Sequence, residues 1–145
     1  MENLIIETAQ RIHNKLWYKS GNVSKGTKLA NQITREWQNE LTSKFENDLM
    51  AEFKIADHRN EKIDLVDPKN KVAYELRVSP KNIHHEFYKD IFKVLVAKNC
   101  SGKAINKFIF IAPEEAIRKI EKQMSSDVIE IVSSLNLEIV LIAIT

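Results

Sequence analysis

A chain of 145 residues with three glycines, three prolines and ordinary apolar content is sized for one domain, 1–145, and is not a disordered or low-complexity protein. A net charge of +2 is not the footprint of a basic protein that coats nucleic acid, and a lone cysteine, Cys100, excludes an internal disulfide. The longest apolar run, Ile139 to Ile144, is too short to cross a bilayer, and the start Met-Glu-Asn lacks a basic leader, so a soluble, cytoplasmic protein with no membrane partner is expected.

In chain order, residues 2–18 read as a helix with Leu4, Ile5, Ile12 and Leu16 at helical spacing. A loop over 19–26 follows, and Lys15, Lys19, Lys25, Lys28 and Arg35 gather around it as either a phosphate-binding patch or a solvated lysine face. The second helix, about 27–50, starts at Thr27 as N-cap and carries the core stripe Leu29, Ile33, Trp37, Leu41, Phe45 and Leu49. Glu52 to Asp57 alternates Phe53 and Ile55 with charged neighbours, as a strand does.

Residues 62–79 read as a hairpin. Asp67-Pro-Lys-Asn70 supplies the turn, and Val72, Tyr74, Leu76 and Val78 alternate with Ala73, Glu75 and Arg77, the period of a half-buried strand. A helix over 83–98 turns Phe87, Ile91, Val94 and Leu95 inward, and Lys107 to Ala112 is a strand buried on both faces. A last helix runs from Pro113 to about Leu135, weakest at Ser125-Ser126, and Leu137 to Ile144 closes the chain as another buried strand. The order α-α-β-β-β-α-β-α-β predicts an α/β fold with a mixed central sheet flanked by helices on both faces.

The hairpin carries the chemistry. With a loop of two or four residues, Val66 pairs with Lys71 and Asp64 with Ala73. Asp64, Glu75 and Arg77 then leave one face, while Ile63, Leu65, Val72, Tyr74 and Leu76 point into a core. Two carboxylates and a cation so placed are the layout of a divalent-metal phosphodiester site, or else of a solvated salt-bridge cluster worth little. His84 and His85 are neighbours on a helix, about 100° apart, and do not readily share one ion.

This element order, with Asp64 on the second strand and Glu75-Leu76-Arg77 on the third, resembles the restriction-endonuclease-like PD-(D/E)xK nuclease superfamily over roughly residues 26–112. The resemblance implies a restriction-endonuclease-like core, Asp64 and Glu75 as ligands of Mg²⁺ or Mn²⁺, and an endonuclease that hydrolyses DNA phosphodiester bonds. Lys25, Lys28 and Arg35 would hold the DNA backbone. The departures are specific. No proline precedes Asp64, and Arg77 stands where the family has lysine. With a pKa above about 12, Arg77 cannot act as a base, but it can clamp phosphate. Lys81, Lys89 and Lys93 are the candidates for the missing lysine, each also readable as a surface residue.

Ala30 and Asn31 occupy the region where the family's first core helix often carries glutamate. Glu36 and Glu40 come later and read foremost as ion-pair partners, Glu40 with Lys44 for example. The alternative implied by these departures is a catalytically inactive module of the same fold that binds DNA or a protein partner. A homodimer is also expected, through helix 2–18, whose Ile6, Trp17 and Tyr18 lie off its main stripe, although packing of these residues against the second helix explains them equally well.

Overall fold

The computed structural model of the chain describes residues 1–17, 26–79 and 81–145. Its elements are α1 (Glu2–Trp17), α2 (Thr27–Lys44), β1 (Met50–Lys54), β2 (Lys62–Asp67) and β3 (Val72–Leu76), followed by α3 (Ile83–Asn99), β4 (Lys107–Pro113), α4 (Glu114–Gln123), α5 (Ser126–Ser134) and β5 (Glu138–Ile144). The five strands lie in sequence order across one sheet. β1, β2 and β3 form an antiparallel meander, whereas β4 and β5 are added in parallel. The fold is therefore α/β with a mixed sheet. Among the described residues no helix is long and apolar enough to cross a membrane.

Two boundaries differ from the sequence expectation. α2 stops at Lys44, not near 50, because Phe45 leaves helical geometry (φ −122°, ψ 53°). The Phe45 carbonyl then accepts the Asp48 and Leu49 amides at 2.9 and 3.1 Å, making a turn from Asn-Asp, residues that favour turns over helix interiors. The long last helix is two helices, so the order is α-α-β-β-β-α-β-α-α-β. Met124 and Ser125 are extended between them, and the Ser125 carbonyl receives the Val128 amide at 3.2 Å to start the second.

Helices cover both faces and give two apolar layers. On one, α3 and α4 pack Phe87, Ile91, Val94, Ile117 and Ile120 against Val66, Ala73, Phe108 and Phe110. On the other, α1 and α2 pack Ile5, Ile12, Ile33, Trp37 and Leu41 against Leu65, Tyr74, Ile109 and Ile111. Ile6 and Trp17 are partly buried and pack against this second layer; Tyr18 lies outside the described residues.

β3 is buried at all five positions, a correction to the half-buried strand expected from its alternation. Its central place in the sheet, with helices above and below, removes the solvent face. β5, expected to be buried, is instead an edge strand, only partly covered at most positions.

Candidate functional site

The hairpin register sets Leu65 opposite Tyr74, Val66 opposite Ala73 and Asp67 opposite Val72, enclosing a loop over 68–71. Asp67 holds that loop through Oδ1, which accepts the Asn70 amide at 3.1 Å, and Oδ2, which accepts Asn70 Nδ2 at 2.7 Å. The register differs by two residues from the sequence expectation. A shift of two preserves facing, so Asp64 and Glu75 remain on one side, and one step beyond Leu65 and Tyr74 they stand opposite each other.

Here side chains take over ladder hydrogen bonds. Asp64 Oδ2 accepts the Leu76 amide at 3.0 Å, and Glu75 Oε1 accepts the Asp64 amide at 3.3 Å.

α3 crosses directly over this pair. Lys93 donates from Nζ to Glu75 Oε1 at 2.5 Å and to the Lys62 carbonyl at 2.6 Å, and lies 3.1 Å from Asp90 Oδ1. Asp90, with no exposure, accepts Arg77 Nε and Nη2 at 2.8 and 2.7 Å, a two-point clamp. Arg77 also reaches Glu86 at 3.3 Å and Glu75 Oε2 at 3.8 Å. Asp64, Glu75 and Asp90 with Arg77 and Lys93 thus form one largely buried network, with part-exposed Glu86 at its edge, and burying it is tolerable because nearly every charge has a partner.

The exception is Glu75 Oε2, buried with no hydrogen-bond donor. Burial raises Asp64 above its ordinary pKa and Glu75 well above its own, where the negative charges of Asp64 and Asp90 add to the effect and Lys93 opposes it. For Arg77 and Lys93 burial disfavours the cation, but hydrogen bonds and charges from Asp90 and Glu75 outweigh it and raise both, so both remain charged at neutral pH.

Two clefts that Asp64 lines reach this network from solvent. One, about 360 Å³, lies between α2 and the sheet and is lined by Arg35, Gln38, Glu52, Asp64 and Arg77. The other, about 280 Å³, lies beneath α3 and is lined by Glu52, Lys62, Asp64, Lys89 and Lys93. Asp64, Arg77 and Glu52 are common to both.

The predicted residues therefore separate. Asp64, Glu75 and Arg77 come together, Arg35 lines the first cleft, Lys28 is exposed on α2, and Lys25 lies outside the described residues. Of the three candidate lysines, Lys93 contacts Glu75, Lys89 lines the cleft beneath α3, and Lys81 lines a neighbouring cleft that Arg77 also borders. Glu36 accepts a bond from Gln32 at 3.3 Å, and Glu40 pairs with Arg11 of α1 rather than with Lys44.

Sequence reasoning missed Asp90, Gln38 and Glu52. Asp90 had a signal: Ile83, Phe87, Asp90, Val94 and Ala97 follow the helical repeat, so an acid occupies a core position of an apolar stripe.

Asp64 and Glu75 offer oxygens, the ligand type a hard divalent cation takes, but Lys93 already sits 2.5 Å from Glu75 Oε1 and Arg77 3.8 Å from Oε2. Among the described residues no three His, Cys, Asp or Glu side chains are already gathered as a metal shell. A cation at Asp64 and Glu75 would complete its coordination with water, substrate oxygens or a side chain that moves. Comparison with family models, with curated proteins and with solved structures finds no match to this chain.

Proposed function

We propose that this chain is a metal-dependent nuclease-like protein that hydrolyses DNA phosphodiester bonds, with Asp64 and Glu75 holding Mg²⁺ or Mn²⁺. The observation that carries this reading is the Lys93 ammonium, set 2.5 Å from Glu75 and beside the paired carboxyls. It supplies from α3 the lysine that the third strand replaces with Arg77. When bound, the cation would lower the pKa of an attacking water and offset negative charge on the phosphate.

The chain's own groups divide the remaining work. Asp64, anchored by the Leu76 amide, lines both clefts. Lys93 stays protonated, so it serves as a positive hydrogen-bond donor beside the reacting phosphate rather than as a base. Arg77 is committed to Asp90 and adds positive field at the cleft wall, its side chain 29% exposed. Arg35, lining the cleft beside α2, and Lys89, lining the cleft beneath α3, would meet backbone phosphates.

The test pairs calorimetric Mn²⁺ titration with a supercoiled-plasmid nicking assay on wild type, Asp64→Ala and Lys93→Met. Wild type should bind Mn²⁺ and nick, Asp64→Ala should lose both, and Lys93→Met should bind Mn²⁺ but nick at least about 100-fold more slowly. Nicking by Asp64→Ala at the wild-type rate would remove this site from the reaction.

A second reading, a DNA-binding or protein-binding module without catalysis, is favoured by the full burial of Glu75 and the commitment of Arg77 to Asp90. It expects a salt-sensitive DNA gel shift with no cleavage in Mg²⁺ or Mn²⁺, unchanged by Arg77→Lys. A protein partner would leave DNA binding absent.

A further inference from the structure

We infer that β5 is an interface on which a second copy of this chain docks, strand against strand and antiparallel, about a two-fold axis at Leu141. The Glu138 amide donates to the Asn106 carbonyl at 3.0 Å, so the even-numbered residues of β5 bond to β4. In a strand, residues that bond one neighbour alternate with residues that bond the other side. Residues 137, 139, 141, 143 and 145 therefore turn their main-chain groups outward. The ends of this series are covered within the chain. The Leu137 amide donates to the Val132 carbonyl at 3.3 Å, and Gln10 accepts the Thr145 amide at 2.9 Å and donates to its carbonyl at 2.5 Å. Between them, Ile139, Leu141 and Ala143 hold out three amides and three carbonyls that meet no hydrogen-bond partner among the described residues.

Proteins guard a free sheet edge with charge, bulges or proline. The other edge of this sheet is guarded. β1 carries exposed Glu52 and Lys54, and its ladder with β2 breaks at Glu52, where φ is 50°. β5 has no such device. Its register with β4 is unbroken from Glu138 to Ile144, and its one charge is Glu138 at the start.

The free stretch is complementary to itself, which favours a second copy over an unrelated strand. Turned about Leu141, the strand sets Leu141 opposite Leu141 and Ile139 opposite Ala143 of the second copy, so every free amide meets a free carbonyl. Val140 then faces Ile142 of the second copy, and each pair from 139 to 143 is apolar. Ile139 and Leu141 are half-buried members of the α3 layer, and Val140 and Ile142 of the α1–α2 layer, so the pairing extends both cores across the axis.

The experiment is sedimentation of the full chain over micromolar concentrations, with amide hydrogen exchange read residue by residue. Wild type should reach the mass of two chains, and the Ile139, Leu141 and Ala143 amides should exchange more slowly in the dimer than in diluted monomer. Ala143→Pro removes an outward amide and no bond to β4, so its circular dichroism should match wild type. It deletes one hydrogen bond from each copy and should weaken association about 10- to 100-fold. Ala143→Lys keeps every amide, puts a charge in the paired edge, and should weaken association likewise, which decides the matter if proline disturbs the strand. A wild type that stays at the mass of one chain would overturn the inference. So would a dimer in which those three amides exchange as in the monomer and both variants associate like wild type.

Discussion

Replacing Asp90 with Asn tests whether the buried network holds α3 on the sheet. The substitution keeps shape but removes the charge that accepts Arg77 at 2.8 and 2.7 Å and lies 3.1 Å from Lys93. Lys93 keeps Glu75 at 2.5 Å and the Lys62 carbonyl at 2.6 Å, whereas Arg77 keeps only the longer contacts to Glu86 and Glu75, at 3.3 and 3.8 Å. Breaking a buried pair by removing one partner costs about 3–5 kcal/mol. Because the Arg77 side chain is 29% exposed, water can take over part of the lost solvation, and the expected loss lies at the low end, about 3 kcal/mol. For a chain of this length that lowers the thermal midpoint by roughly 10 °C.

Urea and thermal unfolding followed by circular dichroism would measure it. Replacing both partners, Asp90→Leu with Arg77→Met, should recover most of the loss, since no uncompensated charge stays buried. A single-variant loss below about 1 kcal/mol, or a double variant worse than the sum of its parts, would refute the account of a charge-compensated network.

The pH dependence of the site follows from Glu75, whose folded pKa is raised by burial and by neighbouring acids. The folded state then holds a proton that the unfolded chain has released, so between the ordinary glutamate value and the raised one wild-type stability falls as pH rises. Metal-free Glu75→Gln, which does not titrate, should gain on wild type through that window by up to about 1.4 kcal/mol per pH unit; a flat difference from pH 4.5 upward in urea titrations would contradict this. Trp37, with no exposure, donates Nε1 to the Ile5 carbonyl at 3.0 Å across the α1–α2 contact. Trp37→Phe should cost about 2 kcal/mol in chemical denaturation, from a lost hydrogen bond and a cavity, and a cost under about 0.5 would show that this contact does not hold α1 in place.

Periodicity is a local property, and what depended on it alone was legible in the sequence. The apolar stripe of α2 and the shared face of Asp64 and Glu75 followed from it, as the turn at Asp67 to Asn70 followed from local turn chemistry; the shared face survived a register displaced by two because a strand repeats every two residues. Local propensity also marked the break at Ser125, though not that two separate helices result.

The crossing of α3 over β2 and β3 was not local. It alone decides that Lys93, and neither Lys81 nor Lys89, reaches Glu75, and that Asp90 claims both guanidinium nitrogens of Arg77. It also turns the polar face of the hairpin into a buried one, because a central strand covered on both sides has no solvent to share its charges with. The buried acids and bases must then pair with one another, and they leave Glu75 Oε2 without a hydrogen-bond donor, its nearest cation Arg77 Nη2 at 3.8 Å.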